Sequence, residues 1–267
     1  MAELLAVSED GTPVTALDDG RGPALLLVHG GGGSPANWDG VVRSLVGDFR
    51  VVRIARRIYL PGARVPPAYS MAVEAADILA IAGLLDRPVL LAGYSSGAVA
   101  ALEAAVRAPG PWAGLFLYDP PVPTRSPVGA EAARRAREAF AAGDPREAMR
   151  IHLRDIAGES AELVDTLTTH PKAVAAFTAK AVAGFADIAA IDALGVGVDR
   201  FQRLDVPTTL VQGETSPAHL RERLGDLASA LPNARIVTLT GQGHAAHLTA
   251  PGALAQAIRE AAGRASR

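Results

Sequence analysis

The five residues Gly93–Gly97 constrain this chain more than any other segment. They read Gly-Tyr-Ser-Ser-Gly and lie between an apolar run, Pro88–Ala92, and a run of small residues, Ala98–Leu102. This pattern predicts a strand, a sharp turn and a helix, with Ser95 at the apex of a nucleophile elbow. Such a turn strains its central residue, and glycines two positions away have no Cβ to clash. We therefore expect an exposed, nucleophilic Ser95 hydroxyl, with the Ser96 backbone N–H turned towards any oxyanion formed there.

A serine hydroxyl needs a base, and His244 is the best placed histidine. It ends the segment Gly241–His244, directly after the last predicted strand. Loops at the carboxyl ends of parallel strands converge on one crevice, which is also where the elbow lies. We therefore predict His244 as the base, and no metal site, because the other histidines show no paired ligand spacing: His29, His152, His170, His219 and His247.

Two carboxylates could orient that histidine. Asp119 ends the predicted strand Leu115–Tyr118, and Glu214 follows Gly213 at the end of the strand Thr208–Gln212. Both lie at the correct edge of a parallel sheet, so the residues alone leave the choice open.

A glycine loop, His29–Gly33, follows the apolar strand Ala24–Val28. Glycines let backbone amides approach a ligand closely, and we predict the Gly31 N–H as the second oxyanion donor beside Ser96. A phosphate cradle is the weaker interpretation, because the loop lacks the Gly-Lys-Ser/Thr ending of a phosphate-binding loop.

Short apolar runs alternate with helical patterns along the chain, which predicts an α/β fold with a parallel sheet covered on both faces. Only residues 123–204 lack strand patterns. We predict a core domain at 1–122 and 205–267 and a helical cap at 123–204, with helices at Glu131–Ala142, Pro145–Ile156, Ser160–Thr168 and Ala173–Ile191. On the helix after the elbow, the i,i+4 spacing predicts an ion pair between Glu103 and Arg107.

Composition narrows the function further. The net charge of −2 argues against nucleic acid or an anionic membrane as the main partner. The absence of cysteine excludes disulfides and a cysteine nucleophile. No run of residues suggests a membrane span or a signal peptide, so we expect a cytoplasmic protein. Whether it is a monomer or a homodimer stays open.

These motifs, in this order and spacing, resemble the α/β-hydrolase superfamily over nearly the whole chain, and in particular its serine esterase and lactonase branch. The resemblance implies a mostly parallel eight-stranded sheet, with the second strand antiparallel and a cap after the sixth. It implies Ser95 as nucleophile, His244 as base, and Gly31 and Ser96 as oxyanion donors. Many members carry the acid three residues after Gly213, where this chain has Ser216. Others carry it after the sixth strand, which favours Asp119 over Glu214.

The expected activity is hydrolysis of a carboxylic ester or lactone through an acyl-enzyme, with no cofactor. Phenylalanines in the predicted cap favour a largely apolar small molecule as substrate, and we expect Trp38, Tyr94 and Pro120 to line its pocket. A C–C bond hydrolase, a thioesterase or a biosynthetic cyclase could use the same three residues. A hydrolase-like binding protein is the alternative from another class.

Overall fold

A single sheet organises the computed structural model, which describes residues 2–265. Its eight strands lie in the order β1-β2-β4-β3-β5-β6-β7-β8. Their bounds are Ala2–Val7 (β1), Pro13–Gly20 (β2), Ala24–Val28 (β3), Arg50–Ile54 (β4), Val89–Tyr94 (β5), Trp112–Tyr118 (β6), Thr208–Gly213 (β7) and Ala234–Leu239 (β8).

Strand β2 is antiparallel to both of its neighbours, and every other pair in the sheet is parallel. The central strand β3 is buried along its whole length, as its uninterrupted apolar sequence predicts for a strand covered on both faces. The predicted fold class, a mostly parallel eight-stranded sheet between helices, is confirmed. Because the parallel strands share one direction, the elbow after β5 lies at the same edge as the segments that follow β3, β4, β6, β7 and β8.

Helices cover both faces of the sheet. One core layer packs α2, α3 and α8 against the sheet, and the other packs α1, α9 and α10. The bounds of these helices are Asp39–Leu45 (α1), Met71–Ala82 (α2), Ser96–Arg107 (α3), Ala218–Ala230 (α8), Ala246–Thr249 (α9) and Pro251–Ala265 (α10). Short 3-10 turns occur at Pro35–Trp38, Arg57–Tyr59 and Asp199–Phe201.

Between β6 and β7 the described chain forms helices alone, which we call the helical insertion. Its members are Ala130–Ala141 (α4), Pro145–Ile151 (α5), a π-helical turn at His152–Ala157, Ala161–Thr169 (α6) and Pro171–Asp192 (α7). The Asp192 carboxylate accepts hydrogen bonds from the N–H groups of Val128, Gly129 and Ala130, and so fixes the end of α7 to the start of α4. The four predicted helical segments all form, whereas the domain boundaries at 122/123 and 204/205 stay a prediction.

The predicted pair between Glu103 and Arg107 is wrong. Glu103 pairs with Arg200, in the 3-10 turn between α7 and β7, and Arg107 pairs with Glu9 in the first hairpin. The i,i+4 spacing permits a local pair that is worth only about 0.2–0.5 kcal/mol. Partners brought in by the fold displace it.

The expectation that no segment has the character of a membrane span fails for α7. Its 22 residues are long enough to cross a membrane, and an 18-residue window within them has a mean hydropathy of 1.6, because alanine dominates and valine, isoleucine and phenylalanine supply most of the rest. This likeness to a membrane span rests on length and composition alone. In the structure the helix packs within the insertion and buries the Asp187 carboxylate.

We predict that truncating a leucine lowers the stability of the protein more in the central strand β3 than in the edge strand β1. Leu26 in β3 is 0% exposed, whereas Leu5 in β1 is 63% exposed. Leu26→Ala should lower the free energy of unfolding by about 2–5 kcal/mol, because it leaves a cavity in a buried strand. Leu5→Ala should change it by less than about 0.5 kcal/mol. Urea denaturation of both variants checks this, and equal losses would contradict the described packing.

Candidate active site

The elbow forms as its sequence predicts. Ser95 has φ of +53° and ψ of −129°, a conformation that a residue with a side chain rarely adopts. A Cβ on Gly97 would lie 2.3 Å from the His29 carbonyl oxygen, and one on Gly93 would lie 2.5 Å from the Cα of Ala98. Glycine is therefore required at both positions, because backbone crosses backbone there. Packed backbone on both sides holds the strained serine at the end of β5.

The three predicted catalytic side chains meet at the carboxyl edge of the sheet. His244 Nε2 lies 3.2 Å from Ser95 Oγ, and His244 Nδ1 lies 3.0 Å from Asp119 Oδ2. A carboxylate only accepts hydrogen bonds, so Nδ1 carries the proton and Nε2 is free to receive one from the serine. The Asp119 side chain is fully buried. This arrangement can deprotonate Ser95 when an electrophile arrives.

The structure distinguishes the two candidate acids by position. Glu214 is exposed, and its Oε2 accepts the Gly241 N–H at 2.7 Å, so it caps a turn and does not reach the imidazole. Asp119 Oδ2 accepts a second hydrogen bond, from Ser216 Oγ at 2.6 Å. The Ser216 oxygen itself accepts the Gly213 N–H at 3.0 Å. Ser216 thus places a hydroxyl against the acid that β6 provides. No pattern in the sequence indicated this contact.

Tyr118 holds the loop that carries His244. Its hydroxyl donates to the Gly243 carbonyl oxygen and accepts the Ala246 N–H at 3.2 Å, so it holds the chain on both sides of His244. Burial raises the pKa of Tyr118, which keeps its hydroxyl protonated and able to donate. The Tyr94 ring packs 4.9 Å from the His244 ring, centroid to centroid. These contacts fix the imidazole relative to the elbow.

The glycine loop orients the Gly31 N–H by fixing the peptide before it. The Gly30 carbonyl oxygen accepts hydrogen bonds from the Gly33 N–H at 3.2 Å and from His29 Nδ1 at 2.9 Å. In a trans peptide the N–H points opposite to the carbonyl, so the Gly31 N–H turns away from these groups. Burial lowers the pKa of His29 to about 3. The neutral ring therefore donates through Nδ1 and accepts the Arg56 N–H at Nε2.

Ser96, the other predicted oxyanion donor, is the first residue of α3. Backbone N–H groups in the first turn of a helix have no carbonyl partner within it, so they remain available to an anion. The roles of Ser96 and Gly31 as donors stay a prediction.

Three residues were expected to line the substrate pocket. Trp38 is 1% exposed and belongs to the hydrophobic core, where with Tyr94 and Gly31 it borders a cavity of about 30 Å³. Pro120 is buried directly after Asp119. Contact of these residues with a substrate stays a prediction. The aromatic rings of Phe140 and Phe177 both pack against Phe185, so the side chains that suggested an apolar substrate also form the core of the insertion.

No three histidine, aspartate or glutamate side chains within residues 2–265 gather in a way that could hold a metal ion.

Comparison with known proteins places this geometry in a family. A family model described as the alpha/beta hydrolase family matches residues 25–257. The chain belongs to the alpha/beta hydrolase family. The family that the model describes is one of hydrolases.

One curated relative is a pimeloyl-[acyl-carrier protein] methyl ester esterase from Methylococcus capsulatus. It is 41% identical over 101 residues, which is 37% of this chain and 37% of the esterase. The match thus spans little more than a third of that relative.

Solved structures match over much more of the chain. An alpha/beta hydrolase from Sphaerobacter thermophilus is 29% identical, covers 97% of this chain and 99% of its own, and has a TM-score of 0.82. The esterase RhEst1 from Rhodococcus is 21% identical, with a TM-score of 0.75 over 98% of this chain and 99% of its own. The second likeness shows the fold alone.

We predict a pH-dependent loss of stability that depends on His247. Burial and the nearby His244 lower the pKa of His247 from 6.5 to about 4. As the pH falls through 6.5, the unfolded chain binds a proton that the folded chain does not, so the free energy of unfolding decreases. Between pH 8 and pH 5 this one group should contribute a loss of about 2 kcal/mol.

Denaturation of the wild type and of His247→Gln at both pH values measures that contribution. The loss between pH 8 and pH 5 should be smaller by that amount in His247→Gln, and unchanged in His170→Gln, where the histidine is exposed. His29, His152 and His219 contribute to the remaining loss, because burial lowers their pKa values as well. Identical losses in wild type and His247→Gln would contradict the prediction.

Proposed function

We propose that this hydrolase cleaves carboxylic esters or lactones through an acyl-enzyme intermediate on Ser95. The observation that carries the proposal is the position of His244, 3.2 Å from the Ser95 hydroxyl on one side and 3.0 Å from the Asp119 carboxylate on the other. A nucleophile, a base and an orienting acid in this order form a complete system for acyl transfer.

The first half-reaction forms the acyl-enzyme. Ser95 Oγ attacks the carbonyl carbon while His244 Nε2 takes its proton, and the carbonyl π electrons move to the oxygen. The N–H groups of Gly31 and Ser96 stabilise that oxyanion. When the carbonyl reforms, the bond to the alkoxy oxygen breaks, and Nε2 gives its proton to the leaving alcohol.

The second half-reaction repeats these roles with water. His244 Nε2 takes a proton from water, the resulting hydroxide equivalent attacks the acyl carbon, and Ser95 leaves with the proton returned by Nε2. Asp119 stabilises the imidazolium in both halves without accepting its proton. Chain residues and water supply every group in this scheme, so we propose that no cofactor takes part.

An ester or lactone is the favoured substrate class for two reasons. The leaving oxygen receives its proton from the same nitrogen that activated the serine, which suits an alkoxide leaving group. The relative from Methylococcus is named for action on a methyl ester. That name supports ester chemistry here, and the acyl group and alcohol of this protein's substrate are separate questions.

We predict that Ser95→Ala abolishes ester hydrolysis, with kcat reduced about 10⁶-fold, because no other group can form the acyl-enzyme. A fluorophosphonate probe should label Ser95 in the wild type and lose its reaction in His244→Ala. Turnover assays with p-nitrophenyl esters and a lactone panel, together with mass mapping of the labelled peptide, check both results. Undiminished turnover by a folded Ser95→Ala variant would contradict the serine mechanism.

The acid assignment has a matched test within the chain. Asp119→Asn should reduce kcat by about 10⁴-fold, because an amide at this position favours the wrong histidine tautomer. Glu214→Gln removes the other candidate and should leave kcat within about twofold, since its carboxylate contacts only a turn. Loss of activity in Glu214→Gln with Asp119→Asn active would reverse the assignment.

A further inference from the structure

Helix α7 of the insertion carries two charged side chains that reach the segments on which the proposed oxyanion donors lie. Lys180 and Asp187 are seven residues apart, so they lie two helical turns apart on one face. The residues of that face between them include Ala183, which is buried against Ile58 and Tyr59. One face of α7 therefore lies against the catalytic edge of the core.

Lys180 holds the glycine loop. Its Nζ donates to the carbonyl oxygens of Gly32 at 2.6 Å and Gly33 at 3.1 Å. These two carbonyls follow Gly31 directly, and glycine gives that stretch no side chain with which to fix itself. The Lys180 side chain is half-buried, and this partial burial lowers the pKa of its ammonium group.

Asp187 holds the elbow and the same loop together. Its Oδ2 accepts hydrogen bonds from Ser96 Oγ at 2.7 Å and from Tyr59 Oη at 2.8 Å. A Cβ on Gly31 would lie 3.3 Å from Tyr59 Oη and 3.4 Å from Asp187 Oδ2, so this hydrogen-bonded pair packs directly against the glycine loop. One carboxylate oxygen from α7 is thus bonded to the residue that would donate the elbow N–H and lies beside Gly31.

The Arg56 guanidinium forms an ion pair with the buried Asp187 carboxylate. Arg56 Nη2 donates to Asp187 Oδ1 at 2.6 Å, Arg56 Nη1 donates to Ser96 Oγ at 2.9 Å, and Arg56 Nε donates to Glu74 at 2.9 Å. Each of the three charged side chains is at most 2% exposed. Because Arg56 is shared between Asp187 and Glu74, it offsets the negative charge of Asp187 in part, and its hydrogen bonds fix the position of that carboxylate.

We propose that α7 positions the oxyanion hole, with Asp187 and Lys180 as the positioning residues. This inference rests on the proposed serine mechanism and adds to it the part played by the insertion. Neither side chain contacts the reacting atoms. Both act through the two segments that present the Gly31 and Ser96 N–H groups, where a displacement of a few tenths of an ångström weakens hydrogen bonds that form only in the transition state.

The test uses pairs of substrates that differ in one atom. An ester and its thionoester have the same carbon skeleton and the same alkoxy leaving group. In the thionoester the carbonyl oxygen is replaced by sulfur, which is larger and a weaker hydrogen-bond acceptor, and this sulfur occupies the oxyanion hole. The ratio of their kcat values reports the hole, because a general defect of folding or of His244 slows both substrates alike. Comparison between variants cancels the intrinsic reactivity of the two substrates.

We expect the ester-to-thionoester ratio to fall about tenfold or more in Asp187→Asn and in Lys180→Met, with the KM for the ester changed less than threefold. Two matched variants on the same helix should keep the wild-type ratio. Lys172→Met removes an exposed lysine, the other lysine of the chain, and Asp192→Asn removes a carboxylate whose hydrogen bonds go to the N–H groups of Val128, Gly129 and Ala130, away from the glycine loop and the elbow.

An unchanged ratio in folded Asp187→Asn and Lys180→Met would overturn the inference. If Asp187→Asn does not fold, Lys180→Met and Ser96→Ala decide, since Ser96→Ala keeps the backbone N–H and removes the hydroxyl that Asp187 holds. A fall in the ratio in those two variants supports the inference, and an unchanged ratio overturns it. Ser95→Ala is assayed in parallel, because only turnover in that variant would refute the serine mechanism itself.

Discussion

The strained backbone of Ser95 is the constraint on which the rest of this structure depends. A positive φ at a residue with a side chain is unfavourable by about 1–3 kcal/mol and persists only where packed neighbours enforce it. Here Gly93 and Gly97 let β5, α3 and the chain after β3 cross at backbone contact. The packing of the sheet and its helices therefore fixes the Ser95 hydroxyl at the carboxyl edge of the sheet.

Two buried aspartates near the Ser95 hydroxyl have different roles. Asp119, from the end of β6, faces the imidazole and acts on the path of the proton. Asp187, from the insertion, faces Ser96 and the glycine loop and acts, in our proposal, on the place where negative charge develops. Ser216 supports the first by a neutral hydrogen bond, and Arg56 supports the second by an ion pair.

Patterns that are local in sequence predicted their structures well. The elbow, the glycine loop and the strands that precede them rest on residue size and turn geometry, which neighbouring residues determine. The roles of Ser216, Asp187 and Lys180 could not be predicted, because each depends on a partner between 91 and 148 residues away that only the fold brings near. Glu103 shows the same limit from the other side, since a tertiary partner, Arg200, replaces its local one.

The most direct test of the account is the covalent state of the enzyme during turnover. The wild type, mixed with an activated ester and quenched in acid within milliseconds, should carry one acyl group on the peptide that contains Ser95, as measured by mass spectrometry. The adduct should be absent in Ser95→Ala. Rapid turnover with no acylated peptide, or with the acyl group on another residue, would contradict the central claim.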